Sequence, residues 1–229
     1  MILQQLTHDL LRLLYPHLCE GCRQPLTGNE DVLCLACESE LPEIDNWHPE
    51  NETTLRLAGR VPFIKATSFC YFTDDGLLQH LLHGLKYQDK KKNGRYLGHI
   101  WGQRLLHNGW VDDIDYLLPV PLHPDKEAKR GYNQSLLIGK GLSEATGIPM
   151  LPDALIRVRN TESQTKKNRN ERIDNMKDAF AVKNPMQLKN KHIFIFDDVL
   201  TTGATLEACA TALLQSPGVR VSIGTIGLA

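Results

Sequence analysis

The stretch from Ile193 to Leu206 constrains the fold more than any other part of this 229-residue chain. Four apolar residues at 193–196 predict a short buried strand. Two adjacent carboxylates, Asp197 and Asp198, follow the strand, and a loop of hydroxyl and small residues then leads into a helix-like segment at 206–214. The stretch therefore predicts a strand–loop–helix unit with both acids at the end of the strand.

The loop of this unit has the chemistry of an anion-binding site. Unpaired N–H groups and the helix dipole converge at a helix N-terminus, and a glycine lets the backbone approach a ligand closely. Two acids would repel a bare phosphate, so the pattern indicates a ligand with hydroxyls beside its phosphate, such as a ribose 5-phosphate, or a bound cation. The alternative is an ordinary turn whose acids cap the helix. The loop residues are Thr201, Thr202, Gly203, Ala204 and Thr205.

Composition leaves the class of partner open. The formal net charge is −1 at pH 7, so no global field attracts nucleic acid or a membrane. The chain contains no run of about twenty apolar residues, so no membrane span is predicted. Residues 1–14 lack the basic cluster and cleavage site of a signal peptide, and their apolar spacing predicts a short helix that packs on the protein body. We therefore expect a cytoplasmic protein.

Four of the six cysteines form two CxxC pairs. This arrangement is typical of a tetrahedral Zn2+ site, and four thiolates complete the coordination shell, so we expect the zinc to be structural. A disulfide pair or a redox CxxC is the alternative, and a cytoplasmic location opposes disulfides. The predicted zinc ligands are Cys19, Cys22, Cys34 and Cys37.

Strands alternate with helices from about residue 61 onward. This pattern predicts an α/β fold with a mostly parallel sheet flanked by helices, in which ligands bind beyond the carboxyl ends of the strands. Residues 38–60 show no clear period and are interpreted as a linker or a loosely packed connection. The predicted domains are an N-terminal helix with a zinc module at 1–45, a linker at 46–65 and the α/β domain at 66–229.

Two segments of this domain contain further candidate site residues. Lys86 and Tyr87 end a predicted helix, where Lys86 is either a partner of the helix dipole or a charge that faces a ligand. Arg130 begins the sequence Arg-Gly-Tyr-Asn-Gln, which joins a proline-ended strand to a helix, and Asn133 is a suitable N-cap there.

The polar run at 157–172 has no hydrophobic period that would fix it in a core. It is interpreted either as a solvated loop or as a lid that closes over a ligand. The lid candidates are Lys166, Lys167 and Arg169.

These motifs together resemble those of a known family. The 193–206 stretch is similar to the phosphoribosyl-diphosphate (PRPP) binding motif of type I phosphoribosyltransferases. Leu-Lys-Tyr at 85–87, Pro-Val-Pro-Leu-His-Pro at 119–124 and the segment at 130–134 precede it in the order seen in the ComF family. That family carries an N-terminal four-cysteine zinc module before a type I phosphoribosyltransferase domain, so the resemblance implies this fold for the chain.

The resemblance also implies a reaction: a nucleophile displaces the diphosphate of PRPP at the ribose C1 carbon, with Mg2+ accompanying PRPP. Asp197 and Asp198 would hold the ribose hydroxyls, and residues 201–205 would hold the 5-phosphate. Lys86 is the candidate for the diphosphate and is grouped with both acids as catalytic. The other candidate substrate-binding residues are Tyr87, Arg130 and the three lid residues, and His123 is only a guess at a general base.

A second hypothesis is a single-stranded DNA-binding protein. ComF-type proteins are linked with natural transformation, so the resemblance implies a role in DNA uptake or in nucleotide metabolism, with competence-machinery proteins as partners. The basic segments 86–95, 126–130 and 166–172 would form a groove in which Tyr87 and Tyr132 stack on bases. A nucleotide-responsive regulator without turnover is a third hypothesis.

Overall fold

A computed structural model describes residues 16–45, 47–158 and 179–229. The predicted N-terminal helix and the lid candidates Lys166, Lys167 and Arg169 lie outside these residues. The described helices are α1 (Leu35–Ser39), α2 (Glu52–Leu57), α3 (Leu77–Tyr87), α4 (Lys91–His107), α5 (Pro124–Arg130), α6 (Gln134–Thr146) and α7 (Ala204–Leu214). The described strands are β1 (Ala66–Tyr71), β2 (Tyr116–Pro119), β3 (Leu155–Arg157), β4 (Phe180–Val182), β5 (His192–Leu200) and β6 (Arg220–Leu228).

The main sheet contains four parallel strands in the order β1-β6-β5-β2. All four carboxyl ends therefore lie at one edge of the sheet, which is where ligands bind in α/β folds of this kind. The predicted α/β class, with a mostly parallel sheet flanked by helices, is confirmed.

Strand β5 is buried on both faces of the sheet. Phe194 and Phe196 pack with Trp101 of α4 on one face, whereas Ile193 and Ile195 join the apolar cluster that includes α7 on the other. This burial explains why the strand is a continuous apolar run rather than an alternating one. Cys70 and Cys209 are also buried in these cores, as expected for free thiols in apolar segments.

Helices α4 and α6 pack very closely through glycines. A β-carbon at Gly98 of α4 would overlap the carbonyl oxygen of Ile138, and one at Gly141 of α6 would overlap that of Arg95. The two backbones can approach this closely only because neither position carries a side chain. This contact fixes α6, whose N-terminal end reaches the carboxyl edge of the sheet.

Three local predictions are corrected by the structure. Strand β5 runs through both acids to Leu200, because its ladder with β6 continues as far as the pair Leu200 and Leu228. The alternation of strands and helices predicted one mostly parallel sheet, whereas β3 and β4 form a separate antiparallel pair outside it. The short helix α5 lies between the proline-ended strand and α6, begins at the N-cap His123 and is a helix that sequence reasoning missed.

The segment interpreted as a linker contains helix α2. Asn51 caps this helix by accepting a hydrogen bond from the Thr54 N–H, and it also donates to the Ala66 carbonyl. Leu57 is fully buried in the core on the α7 side of the sheet. Residues 51–57 are therefore anchored against the α/β domain, although the division of the chain into domains remains a prediction.

Candidate functional site

The two acids lie at the carboxyl edge of the sheet and have different surroundings. Asp197 Oδ1 accepts a hydrogen bond from Ser135 Oγ at 2.7 Å and another from the Asp198 N–H at 2.9 Å. Burial of the carboxyl raises the pKa of Asp197 to about 7, and the neighbouring charge of Asp198 acts in the same direction. Asp198 instead faces a cation, so the pair that looks equivalent in the sequence is chemically unequal.

That cation is Lys86, in the last turn of α3. Its Nζ lies 2.5 Å from Asp198 Oδ2, with 24% of the lysine side chain and 15% of the aspartate side chain exposed. The Tyr132 hydroxyl donates to the Leu85 carbonyl and so ties the end of α3 to the segment that precedes α6. This arrangement favours the interpretation of Lys86 as a charge that faces the site over that of a solvated dipole partner.

Helix α6 brings in Ser135, a residue that sequence reasoning missed. As predicted, Asn133 is the N-cap of α6: its side chain accepts from the Ser135 N–H and donates to the Val120 carbonyl at 2.9 Å. The cap therefore fixes the helix start between strand β2 and the acids. The available sequence signal was the position of Ser135 directly after the Arg-Gly-Tyr-Asn-Gln motif.

The predicted loop at 201–205 comprises the connection from β5 to α7 and the first two residues of α7, and it forms a small concave surface with the acid at 197. Thr201 and Thr202 are exposed, and Gly203 has a left-handed φ of 77° at the N-cap position of α7. No side chain caps the helix there. The Ala204 N–H makes a long contact of 3.5 Å with Thr202 Oγ1, which an anion could replace, and the helix dipole favours negative charge at this point.

Tyr87 and Arg130 contact each other beside Lys86. The Arg130 guanidinium lies 5.6 Å from the centroid of the Tyr87 ring, and Tyr87 is 68% exposed. His123, the guessed general base, caps α5 by accepting a hydrogen bond from the Asp125 N–H at 3.2 Å. That contact gives His123 a structural role at the start of a helix.

The four predicted zinc ligands converge on one point. Their sulfur atoms all lie within 4.8 Å of one another, and Cys22 Sγ is 3.7 Å from Cys34 Sγ. Zn–S bonds of about 2.3 Å in a tetrahedron place sulfurs about 3.8 Å apart, so the cluster fits Zn2+. Two N–H groups, those of Gly21 and Cys34, also point at Cys19 Sγ. All four ligand positions would be filled by protein thiolates, as in structural zinc sites.

The cysteine cluster is joined to the α/β domain by polar contacts. Glu20 lies between Lys90 Nζ, at 2.6 Å, and His80 Nε2, at 3.6 Å. The Tyr96 hydroxyl donates to the Glu38 carboxylate. The module therefore rests on helices α3 and α4, and α3 is the helix that ends at Lys86.

Within the three described ranges, no helix is both long enough and apolar enough to cross a lipid bilayer.

Solved structures similar to this chain include phosphoribosyltransferases and a PRPP amidotransferase. Adenine phosphoribosyltransferase from Leishmania tarentolae aligns with 82% of this chain and 94% of its own, at 14% identity and a TM-score of 0.40. Glutamine PRPP amidotransferase from B. subtilis aligns with 56% of this chain and 26% of its own, at 21% identity and a TM-score of 0.37.

Curated sequence relatives match the chain at higher identity than these solved structures do. No protein-family model matches the chain. DNA utilization protein YhgH of Salmonella typhi is 27% identical over 223 residues, which cover 92% of this chain and 96% of that protein. Competence protein F of Haemophilus influenzae is 35% identical over 105 residues, or 45% of each chain. Competence protein ComFC of Bacillus subtilis is 36% identical over 112 residues, which cover 49% of this chain and 43% of that protein.

These relatives confirm the resemblance to the ComF family that the motifs indicated. The similarity to YhgH extends over nearly the whole chain, and the two competence proteins match about half of it. The four-cysteine cluster and the parallel α/β sheet are the two structural parts that the resemblance implied.

Proposed function

We propose that this protein binds PRPP, or another ribose 5-phosphate ligand, as a phosphoribosyltransferase-like protein of the ComF type. The observation that carries the proposal is the convergence of Lys86 and Ser135 on the acid pair Asp197–Asp198. This polar cluster lies beside the uncapped N-terminus of α7. A cation, two carboxylates and a helix N-terminus that can bind an anion thus lie together. A ligand with both hydroxyl and phosphate groups requires this combination.

Each part of the site suits one part of such a ligand. Carboxylates accept hydrogen bonds from the ribose 2- and 3-hydroxyls, whereas the loop at 201–205 supplies N–H and hydroxyl donors to the 5-phosphate. Lys86 exchanges its ion pair with Asp198 for contact with the diphosphate, which leaves Asp198 free to accept from the ribose. Ser135 holds the other acid in place through its hydrogen bond to Asp197.

The chemistry we propose is displacement at C1 of the bound PRPP. The bond from C1 to the diphosphate oxygen breaks, the bond to the incoming nucleophile forms, and the diphosphate leaves with its electron pair. Mg2+ enters with PRPP as part of the substrate and neutralises charge on the leaving group. The protein contributes position and electrostatic stabilisation, chiefly through Lys86 and the loop donors.

PRPP with Mg2+ should raise the melting temperature of the wild-type protein. A ligand at a hundredfold excess over its Kd stabilises the folded state by about 2.7 kcal/mol, which corresponds to several degrees for a chain of this size. Asp198→Asn should abolish the shift, because an amide has one acceptor oxygen where the carboxylate has two and carries no charge to strengthen the hydrogen bonds from the ribose hydroxyls. Thermal shift with PRPP, ribose 5-phosphate and nucleoside monophosphates measures this.

Asp112→Asn is the matched control for this experiment. Asp112 is an exposed carboxylate before β2, at the opposite edge of the sheet from the acid pair, so its replacement should leave the PRPP shift unchanged. An absence of any shift in the wild-type protein at millimolar PRPP would contradict the proposal. If PRPP does bind, an assay for diphosphate release in the presence of candidate acceptors distinguishes a transferase from a protein that only binds PRPP.

A second candidate function is the binding of single-stranded DNA, favoured by the contacts between two of the basic segments. Arg130 lies over Tyr87, and Lys91 lies 4.9 Å from the ring centroid of Tyr132. Tyr87 is exposed, whereas Tyr132 is half-buried against the core, so Tyr87 is the ring that could stack on an unpaired base while the cations contact backbone phosphates. The names of the relatives, DNA utilization and competence proteins, agree with a role of this chain in DNA uptake.

Tyr87→Ala should weaken the binding of a fluorescent oligothymidine, because it removes a stacking surface, and wild-type affinity should fall steeply with salt. Lys189→Gln removes an exposed cation that precedes β5, far from Tyr87 along the sheet, and should have little effect. Fluorescence anisotropy at several salt concentrations measures both. Equal affinity of the Tyr87 and Lys189 variants would contradict a binding surface at Tyr87.

A further inference from the structure

Arg60, from the segment interpreted as a linker, reaches the loop that precedes α7. Its Nη1 donates a hydrogen bond to the Thr202 carbonyl oxygen and lies 3.8 Å from Glu207 Oε2. A β-carbon at Gly203 would lie 3.2 Å from the same Nη1 atom. A residue from outside the predicted α/β domain thus lies against Thr202 and Gly203 of the loop and against Glu207 in the first turn of α7.

The position of Arg60 is determined by buried anchors. Helix α2 ends at Leu57, which is fully buried, and the Arg60 N–H donates to the Leu57 carbonyl at 3.2 Å. Asn51 secures the other end of the helix through the Ala66 carbonyl at 2.8 Å. The guanidinium is therefore carried by an element that packs on the sheet, although 36% of the arginine side chain is exposed.

The contact with Thr202 controls the direction of a neighbouring donor. In a trans peptide the N–H of one residue points opposite to the carbonyl of the residue before it. Holding the Thr202 carbonyl toward Arg60 therefore aims the Gly203 N–H away from Arg60. The concave surface of the loop is lined by residues 197 and 199–206 and not by Arg60, so the guanidinium holds the loop from outside this surface.

The contact with Glu207 has an electrostatic consequence. Glu207 is the acidic residue in the first turn of α7, where its charge opposes the approach of a phosphate. A guanidinium 3.8 Å away offsets that charge. Arg60 thus acts on the same anion site in two ways, through the orientation of a peptide group and through neutralisation of a carboxylate.

We infer that Arg60 is a positioning residue of the phosphate-binding loop, which orients the Thr202–Gly203 peptide and screens Glu207. This inference rests on the proposed function, because it assigns the loop to the 5-phosphate of a ribose 5-phosphate ligand. It also makes segment 46–65 a support of the binding site, since Arg60 holds the loop from outside the concave surface. The sequence offered no signal for this, since Arg60 belongs to no motif near the acids.

Arg60→Gln should weaken the binding of ribose 5-phosphate about tenfold, which is the effect expected for loss of a hydrogen bond from a charged donor. Arg56→Gln is the matched control: Arg56 lies in α2, four residues before Arg60, with the same 36% exposure, but it contacts Glu52 and the Ala229 carbonyl. Its affinity should remain close to that of the wild type. Isothermal titration calorimetry with ribose 5-phosphate measures the affinities.

Two additional variants separate the two effects of Arg60. Arg60→Lys keeps the charge but lacks the planar fork, so it should recover part of the affinity. Adding Glu207→Gln to Arg60→Gln should recover only the part of the lost affinity that is due to the unscreened charge of Glu207. Amide hydrogen exchange at Gly203 and Ala204 in the ligand-free protein should become faster in Arg60→Gln and not in Arg56→Gln.

The inference is overturned if Arg60→Gln matches Arg56→Gln in both affinity and hydrogen exchange. If the wild-type protein binds neither ribose 5-phosphate nor PRPP, the proposed function fails instead. In that case the exchange rates alone decide whether Arg60 orders the loop.

Discussion

Cys37→Ser should release the metal and lower the melting temperature by about 10 °C or more. Structural zinc contributes roughly 10–16 kcal/mol of apparent folding free energy in small zinc modules, and the four sulfurs here lie within 4.8 Å of one another. Cys37 is 6% exposed and belongs to the same core as Leu78 and Leu81 of α3. Loss of this ligand therefore removes a metal bond and loosens the packing of the module on α3.

The measurement combines zinc content with thermal unfolding. We expect one zinc ion per wild-type chain and none in Cys37→Ser, and a strong chelator should lower the melting temperature of the wild type toward that of the variant. Cys70→Ala is the control, because Cys70 is a buried thiol outside the cluster. It should lose some packing energy and keep its zinc.

The same experiment distinguishes the disulfide alternative. A wild-type protein that contains no zinc, has fewer than six titratable thiols after unfolding, and loses stability on reduction would contradict the zinc assignment. Cys22 Sγ and Cys34 Sγ lie 3.7 Å apart, which is well beyond the length of a disulfide bond, about 2.0 Å. The geometry thus favours thiolates around a metal.

The strand–loop–helix unit could be predicted because its signal is local. An apolar run, two acids and a glycine-containing loop are contiguous in the chain, and each has a direct structural meaning. The same holds for the cysteine pairs, whose spacing alone predicts a shared metal. What the sequence did not show was that β5 continues through both acids to Leu200, since this depends on hydrogen bonds to β6.

The partners of the acids were harder to predict because they come from distant parts of the chain. Ser135 lies 62 positions from Asp197, and Arg60 lies 142 positions from Thr202. Both contacts depend on how α6 and α2 pack against the sheet, which no local pattern specifies. Lys86 was nominated from its motif, but the ion pair with Asp198 is a result of the tertiary structure.

Helix α2 shows why segment 46–65 was interpreted as a linker. The helix has six residues, which is too short for a hydrophobic period to be evident. Of its residues, Leu57 and Thr53 are buried, and a buried threonine looks like a loop residue in the sequence. The segment is anchored by one apolar side chain and by the hydrogen bonds of Asn51 rather than by an amphipathic face.

Gly98→Ala should destabilise the protein by about 3 kcal/mol or more. The new β-carbon would overlap the backbone carbonyl of Ile138, and a backbone atom within a helix cannot move aside as a flexible side chain can. Gly141→Ala makes the reciprocal test, because its β-carbon would overlap the Arg95 carbonyl. Either substitution must push α4 and α6 apart. Urea unfolding would record the lower free energy of unfolding as a lower midpoint concentration.

Gly94→Ala is the control that isolates this clash. It gains the same helix propensity of about 1 kcal/mol, but its β-carbon would meet atoms of the Leu137 and Leu85 side chains at 3.0–3.2 Å. The Leu85 methyl groups can rotate away, and the contact with Leu137 Cβ at 3.0 Å needs a much smaller shift than the overlap with the Ile138 carbonyl at Gly98, so we expect a much smaller change in stability. Equal unfolding midpoints for Gly98→Ala and Gly94→Ala would contradict the close backbone contact.

The α4–α6 contact also determines the site. Helix α6 begins beside Asn133 and carries Ser135 to within 2.7 Å of Asp197, so any displacement of α6 moves a hydrogen-bond donor away from the acid pair. Gly98→Ala should therefore weaken ligand binding even under conditions in which the variant is fully folded, whereas Gly94→Ala should not. A variant that is destabilised but binds with unchanged affinity would show that α6 moves as a whole without disturbing Ser135, and would limit the glycines to a structural role.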